Sequence, residues 1–298
     1  MLEIKVPATS ANFGPGFDAL GVALDLYNKF YIEEIEEGLV IEGCDEKYRG
    51  KDNLIYRAME EGFKITGYNP KGIHIKIKSE IPLSRGLGSS ASCIVAGVLA
   101  ANEISGNKLD KKEILNLATK IEGHPDNITP ALFGGMTVSI CDNDEVLYNQ
   151  IFAPENICFC ALIPEFTLST EKARAVLPKE ISYKDAVFNI SRVSMLVSAL
   201  SNSNLGLLKV ACEDRIHQIY RGELIDNFDD IIKICNDLNC LGIFLSGAGP
   251  TVMALVEETN LEFFEKISEM LSNLNNKWSI KKLRLDNVGA TLKKRNAE

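Results

Sequence analysis

The sequence is poor in the residues that metal and redox centres need. It has three histidines, and its eight cysteines (Cys44, Cys93, Cys141, Cys158, Cys160, Cys212, Cys235 and Cys240) include no Cys-x-x-Cys pair, so neither a zinc site nor a dithiol motif is spelled out. Cys158 and Cys160 alternate with apolar residues, as reduced core cysteines on a buried strand do. No apolar run approaches the roughly 18 residues a membrane helix needs; the longest runs from Ile94 to Ala101. The chain enters a strand-like Leu2 to Val6 with neither a basic nor an apolar leader, so the expected location is the cytoplasm. Positive charge is also in deficit. With 32 Lys and Arg against 41 Asp and Glu, the formal charge is −9, which argues against nucleic acid or an anionic membrane as the main partner. An anionic ligand would have to be held locally, by backbone N–H groups and a few cations.

What remains is an ordinary globular composition, 46% hydrophobic and 24% charged over 298 residues, enough for two cores. Ile73, Ile75 and Ile77 mark a half-buried strand over 72–79, and 27–36 alternates in the same way. Ile55, Met59 and Phe63 recur at helical spacing, and Asp110 with Glu113 forms a capping pair for a helix carrying Ile114, Leu117, Ala118 and Ile121. Further on, strands are expected at 135–140, 145–152, 157–163, 241–246, 251–257 and 279–285. Helices are expected at 171–177, 183–200, 205–214, 227–238 and 261–274. Strands and helices do not alternate as a doubly wound sheet requires, so the expected class is α+β, with domains 1–155 and 156–298. Oligomeric state is not legible, and a homodimer is left open.

The segment Pro82-Leu83-Ser84-Arg85-Gly86-Leu87-Gly88-Ser89-Ser90-Ala91-Ser92 carries the most chemistry. It follows a strand and opens an apolar helix. Glycines allow a close backbone approach, and a helix start presents unpaired N–H groups at the positive end of the dipole. That combination is an anion site, most naturally for phosphate. It lacks the lysine of a Walker A loop. It also stands too far from its strand for a dinucleotide fingerprint, with no acidic strand end at the right distance. By itself it is equally an ordinary serine-rich helix cap.

Three more segments bear on the question. Pro7 to Asp18 packs small and polar residues around two glycines just after the first strand, with Asn12 and Asp18 able to grip hydroxyl and ammonium groups; it also reads as a plain turn. Glu122-Gly123-His124-Pro125-Asp126-Asn127 ends the helix begun at Asp110 in a loop. There a carboxylate near a serine hydroxyl would suit Mg²⁺, although a solvated helix end looks similar. Leu245 to Thr251 is a tight glycine turn between two apolar strands.

In this order and at these separations, the segments resemble the motifs of the GHMP kinases, the superfamily of galactokinase, homoserine kinase, mevalonate kinase and phosphomevalonate kinase. The match runs from about Pro7 to Thr251; Pro82 to Ser92 is similar to the ATP motif, and the first and third segments are similar to the homoserine kinase branch. The resemblance implies a fold with an N-terminal domain like ribosomal protein S5 domain 2 and a ferredoxin-like C-terminal domain, with ATP and substrate meeting between them. It implies ATP contacts from Asn53 and from Pro82, Leu83, Ser84, Arg85, Gly86, Leu87, Gly88, Ser89, Ser90, Ala91 and Ser92, and Mg²⁺ at Ser90 and Glu122. It implies L-homoserine held by Asn12, Asp18, Asn127, Arg174 and Arg221, the two guanidiniums pairing with its carboxylate. Ser90, Asp126 and Asn127 would be the catalytic set, with Asp126 accepting the hydroxyl proton or Asn127 merely orienting the hydroxyl. The implied product is O-phospho-L-homoserine, an intermediate of threonine biosynthesis. The alternatives are another small-molecule kinase of mevalonate or shikimate type, or a non-catalytic ligand sensor on the same fold.

Overall fold

Local signals in the sequence start and stop most of the helices. The computed structural model describes residues 1–152, 154 and 156–295. In helix α1 (Leu54–Thr66) the Asn53 side chain accepts the N–H groups of Ile55 and Tyr56, and Gly67 ends the helix in the left-handed region at φ +65°. Helix α2 (Ser89–Ile104) is buried on nearly every side. Gly97 lets it touch α1, since a Cβ there would lie 2.4 Å from the Ile55 carbonyl. Helix α3 (Lys111–Glu122) has the expected Asp110–Glu113 capping box. Helix α4 (Pro125–Phe133) follows after only two residues, with proline at its first position. The stretch from Glu122 to Asn127, expected to be a loop, is therefore the end of one helix and the start of the next.

These helices lie on a sheet in which β11 (Thr291–Lys294), β1 (Leu2–Ala11), β2 (Leu20–Ile35), β4 (Gly72–Ser79) and β3 (Gly38–Glu42) are neighbours in that order. β5 (Met136–Asp142) pairs with the start of β2, and β6 (Glu145–Ile151) pairs with β5. Strand β1 continues past Val6 because Ala8–Ala11 find partners at Gly21–Leu24, across a bulge at Pro7 and Ala8. Only 12–19 of the first glycine segment is a turn.

The second half has its own antiparallel sheet, ordered β10 (Trp278–Leu283), β7 (Ile157–Pro164), β9 (Val252–Glu257) and β8 (Gly242–Leu245). It is a ferredoxin-like arrangement, and all eight residues of β7 are buried. Its helices are α5 (Thr170–Ala175), α6 (Tyr183–Ser201), α7 (Leu208–Ala211), α8 (Gln218–Gly222), α9 (Phe228–Asp237) and α10 (Leu261–Ser272). The helix expected over 205–214 shortens to a 3₁₀ turn followed by the four residues of α7. The expected boundary at 155 lies outside the described residues. The C-terminal part is not self-contained, since β11 returns to pair with β1.

A shared core joins the halves. Fully buried Phe13, from the turn after β1, packs edge-on against Phe244 of β8 with centroids 4.3 Å apart, and lies 6.1 Å from Phe159 of β7. Phe13→Ala should therefore cost about 3–5 kcal/mol, read as a lowered midpoint in urea unfolding; a loss under about 1 kcal/mol would mean that the halves do not depend on this contact.

Candidate active site

Three glycine-rich segments meet at distances that exclude side chains. A Cβ on Gly86 (φ +75°) would lie 2.2 Å from the Ser246 carbonyl, and one on Gly88 (φ +69°) would lie 1.9 Å from the Thr9 hydroxyl. Ser246 Oγ donates to the Gly86 carbonyl at 2.6 Å and lies 2.7 Å from Ser10 Oγ. Thr9 N–H donates to the Leu87 carbonyl and Gly247 N–H to the Ala11 carbonyl. The start of α2 is thereby held with Gly88 as its first cap, which has no side chain to satisfy the opening N–H groups. Ser89 Oγ, buried beside them, has no partner among the described residues. Such a backbone cradle has the donors to receive an anion's oxygens.

The cradle opens on a cavity of about 460 Å³. Its lining combines apolar Cys44, Tyr48, Ile55, Ile77 and Pro82 with charged Asp18, Glu122, Asp126, Arg174 and Arg221. Ser90 Oγ donates to Glu122 Oε2 at 2.8 Å. Burial raises the pKa of Glu122 above the usual carboxylate value, more than its bond to Ser90 and the charge of His124 lower it. This hydroxyl and carboxylate form an oxygen donor set that fits a divalent metal. At the head of α4, His124 Nδ1 is 2.8 Å from Asp126 Oδ1, and Asp126 is 1% exposed. Ligand atoms of Asp18, His124 and Asp126 all lie within 4.8 Å of one another. Asn127 Oδ1 accepts from Thr9 Oγ at 2.7 Å, leaving its NH₂ for the cavity that it lines.

Arg174 grips Asp18 with both nitrogens, at 2.7 and 3.3 Å. Arg221 is 1% exposed and donates to the carbonyls of Ala173 and Gly247. Burial, with the charge of Arg174, lowers its pKa to about 10, so it stays cationic at neutral pH. Both guanidiniums lie within 6 Å of the Phe17 ring centroid.

Several expected residues sit differently. Asn12 (φ +67°) has both ends of its amide engaged, donating to Gly247 O and accepting from Asp18 N–H, so it shapes the pocket. The Asn53 side chain caps α1 and donates to Tyr48 O. Arg85 does not face the cradle with a free guanidinium; it ties the loop to β7 through the carbonyls of Leu83, Pro164 and Glu165. Leu83 and Ser84 line the cavity, whereas the Leu87 side chain goes into the shared core. Ala91 and Ser92 are buried away from the cavity wall, Ser92 holding Asn28. Thr9 and His217 were missed. The Pro7 to Asp18 segment held a signal for Thr9, but nothing near His217 distinguishes it in the sequence.

Comparison with known proteins identifies the family. Residues 53–135 match the GHMP kinases N terminal domain and residues 196–273 match the GHMP kinases C terminal family. The chain is 56% identical over 292 residues, 98% of both chains, to homoserine kinase of Clostridium botulinum (strain ATCC 19397 / Type A). It is similar to the crystal structure of homoserine kinase from Cytophaga hutchinsonii, with TM-score 0.87, 29% identity and 98% and 96% of the two chains covered. It shares its fold with L. major mevalonate kinase, at TM-score 0.73, 18% identity and 96% coverage of each chain.

Burial favours a neutral His124, but its bond to Asp126 and the charges of Asp126 and Glu122 outweigh that and raise its pKa above the ordinary 6.5. A folded pKa above the unfolded one contributes stability that is full below about pH 6.5 and lost as pH rises through the folded value. His124→Gln should therefore lower stability more at pH 6 than at pH 9 in thermal melts; equal losses at both would show that the pair does not bias the proton.

Proposed function

The chain belongs to the GHMP kinase family, in its homoserine kinase branch, and is an ATP-dependent phosphotransferase; we propose that its cleft moves the γ-phosphate of ATP to the side-chain hydroxyl of L-homoserine, the step that commits homoserine to threonine. The observation that carries this reading is the juxtaposition of the cradle at Gly86–Ser90 with a pocket holding two carboxylates and two guanidiniums, Asp18, Asp126, Arg174 and Arg221. An α-amino acid brings an ammonium and a carboxylate, and this set answers both. Mevalonate and shikimate have no ammonium and would leave buried Asp126 without that partner, at a cost.

Phosphoryl transfer asks chiefly for position and charge stabilisation, because its transition state is loose. The unpaired N–H groups at the start of α2 and the dipole behind them face the phosphate oxygens. Ser90 and Glu122 would hold Mg²⁺, which supplies charge neutralisation on the phosphates when bound. Asn127, its carbonyl fixed by Thr9, orients the acceptor hydroxyl through its NH₂. The hydroxyl oxygen bonds to the γ-phosphorus, the bond to the bridging oxygen breaks, and ADP leaves with it. The hydroxyl proton goes to a phosphate oxygen or to Asp126. We place the reaction in the cytoplasm, where eight free thiols stay reduced.

An ATP-consumption assay against L-homoserine, mevalonate and shikimate should show turnover with homoserine alone; preference for either of the others would overturn the assignment. Arg174→Ala should raise the KM for homoserine about 10- to 100-fold, the loss of one or two charge-assisted hydrogen bonds, with the KM for ATP little changed. Asp126→Asn separates the two proton routes. Because Asp126 Oδ1 is already shared with His124, kcat should fall only a few-fold; a fall of about 10²-fold or more would assign the proton to Asp126.

A further inference from the structure

Arg221 is a buried cation whose guanidinium must point one way to meet a ligand. Two carbonyls fix part of it, Ala173 O from Nε at 3.1 Å and Gly247 O from Nη1 at 3.1 Å. The third neighbour is the Nδ1 of His217, 3.5 Å from Nη1. His217 is 0% exposed, and its Nε2 lies 2.8 Å from the Gly14 carbonyl. A carbonyl only accepts, so Nε2 carries the proton and Nδ1 is left as an acceptor turned to Arg221. Nη2 makes no hydrogen bond among the described residues and belongs to the wall of the cavity that Arg221 lines.

We propose that His217 is a positioning residue for the amino-acid pocket, holding Arg221 through Nδ1 and the Gly14 turn through Nε2–H, so that one ring sets both sides of the carboxylate site. Its surroundings preserve that tautomer. The Phe17 ring lies 5.2 Å from the imidazole. Asp214 Oδ1 is 3.8 Å from Nε2, but that carboxylate is engaged by the N–H groups of Ile216, His217 and Gln218 and by the Asn189 amide. Asp214 and Asp18 favour a second proton while burial and Arg221 oppose it, and burial prevails, lowering the pKa below the ordinary value. A second proton would set N–H against N–H at Arg221. The ring also couples elements far apart in sequence: Gly14 lies in the turn that carries Asn12 and Asp18, whereas Arg221 belongs to α8.

This inference rests on Arg221 meeting the substrate carboxylate, and two variants of His217 test it on the intact chain. Glutamine places an amide N–H near Nε2 and keeps the Gly14 bond but offers Arg221 no acceptor at Nδ1. Asparagine places its amide oxygen near Nδ1 and keeps the acceptor but loses Gly14. His217→Gln should raise the KM for L-homoserine about ten-fold, one charge-assisted hydrogen bond, with kcat and the KM for ATP within about two-fold. His217→Asn should hold the homoserine KM within about three-fold while melting at a lower temperature. The proposal is overturned if His217→Gln leaves that KM unchanged, or if both variants raise it in step with their loss of melting temperature. Arg221→Lys distinguishes the underlying reading. If it leaves the homoserine KM unchanged, Arg221 does not bind the carboxylate; if it raises that KM while His217→Gln does not, only the role given to His217 fails.

Discussion

The contact between Gly86 and Ser246, with Gly88 against Thr9, is the constraint on which the cleft depends. These approaches leave no room for a β-carbon, and they bring to one point three segments that together span more than two hundred residues. The opening turn of α2 is aimed by them, because the loop before it is pinned on one side by β1 and on the other by the turn after β8. A helix start is positive wherever it lies; what makes this one useful is that its direction is imposed from outside the helix. A side chain at Gly86 would push the two halves apart, and one at Gly88 would push the start of α2 off β1.

Charge in the cleft is arranged against the character of the chain as a whole. The protein carries −9, yet its pocket holds two arginines, one almost wholly buried. Burial alone would discourage that charge. Arg221 is tolerated because carbonyls, a neutral imidazole and the face of Phe17 surround it, and because Asp18, Asp126 and Asp214 lie close enough to favour its proton. Burial raises the Glu122 carboxyl above its usual value, while burial opposes the His124 proton and the Asp126 and Glu122 carboxylates outweigh it. The site is thus an electrostatic cluster whose members set one another's state.

Much of this was legible before any fold was known. The Asp110–Glu113 capping box, the alternation of Ile73, Ile75 and Ile77, and the glycine–serine run before an apolar helix each act over a few residues, and each appears where the pattern placed it. The reading failed where partners are distant. Strand β1 runs on to Ala11 only because β2 offers Gly21–Leu24 to pair with. The Glu122 to Asn127 stretch is two helix ends because Gly123 closes α3 in the left-handed region and Pro125 opens α4; only the Asn127 bond to Thr9 is distant. Arg85 looked available for phosphate and instead holds the end of β7.

The sequence by itself determined the class of ligand and the branch of the family, because backbone freedom at glycine, hydroxyls at a helix start and the order of short motifs are properties of neighbouring residues. It singled out Asp18, Asn127, Arg174 and Arg221, which the fold brings to the wall of one cavity. Only the tertiary structure decided which of these have free hydrogen-bonding capacity. Asn12 and Asn53 are occupied by the backbone, Arg174 is paired with Asp18, and Arg221 keeps one nitrogen without a hydrogen-bond partner among the described residues, beside a histidine that no local pattern marks. The physical reason is that a hydrogen bond is made by proximity in space, and Asn12 and Arg174 find partners 235 and 156 residues away.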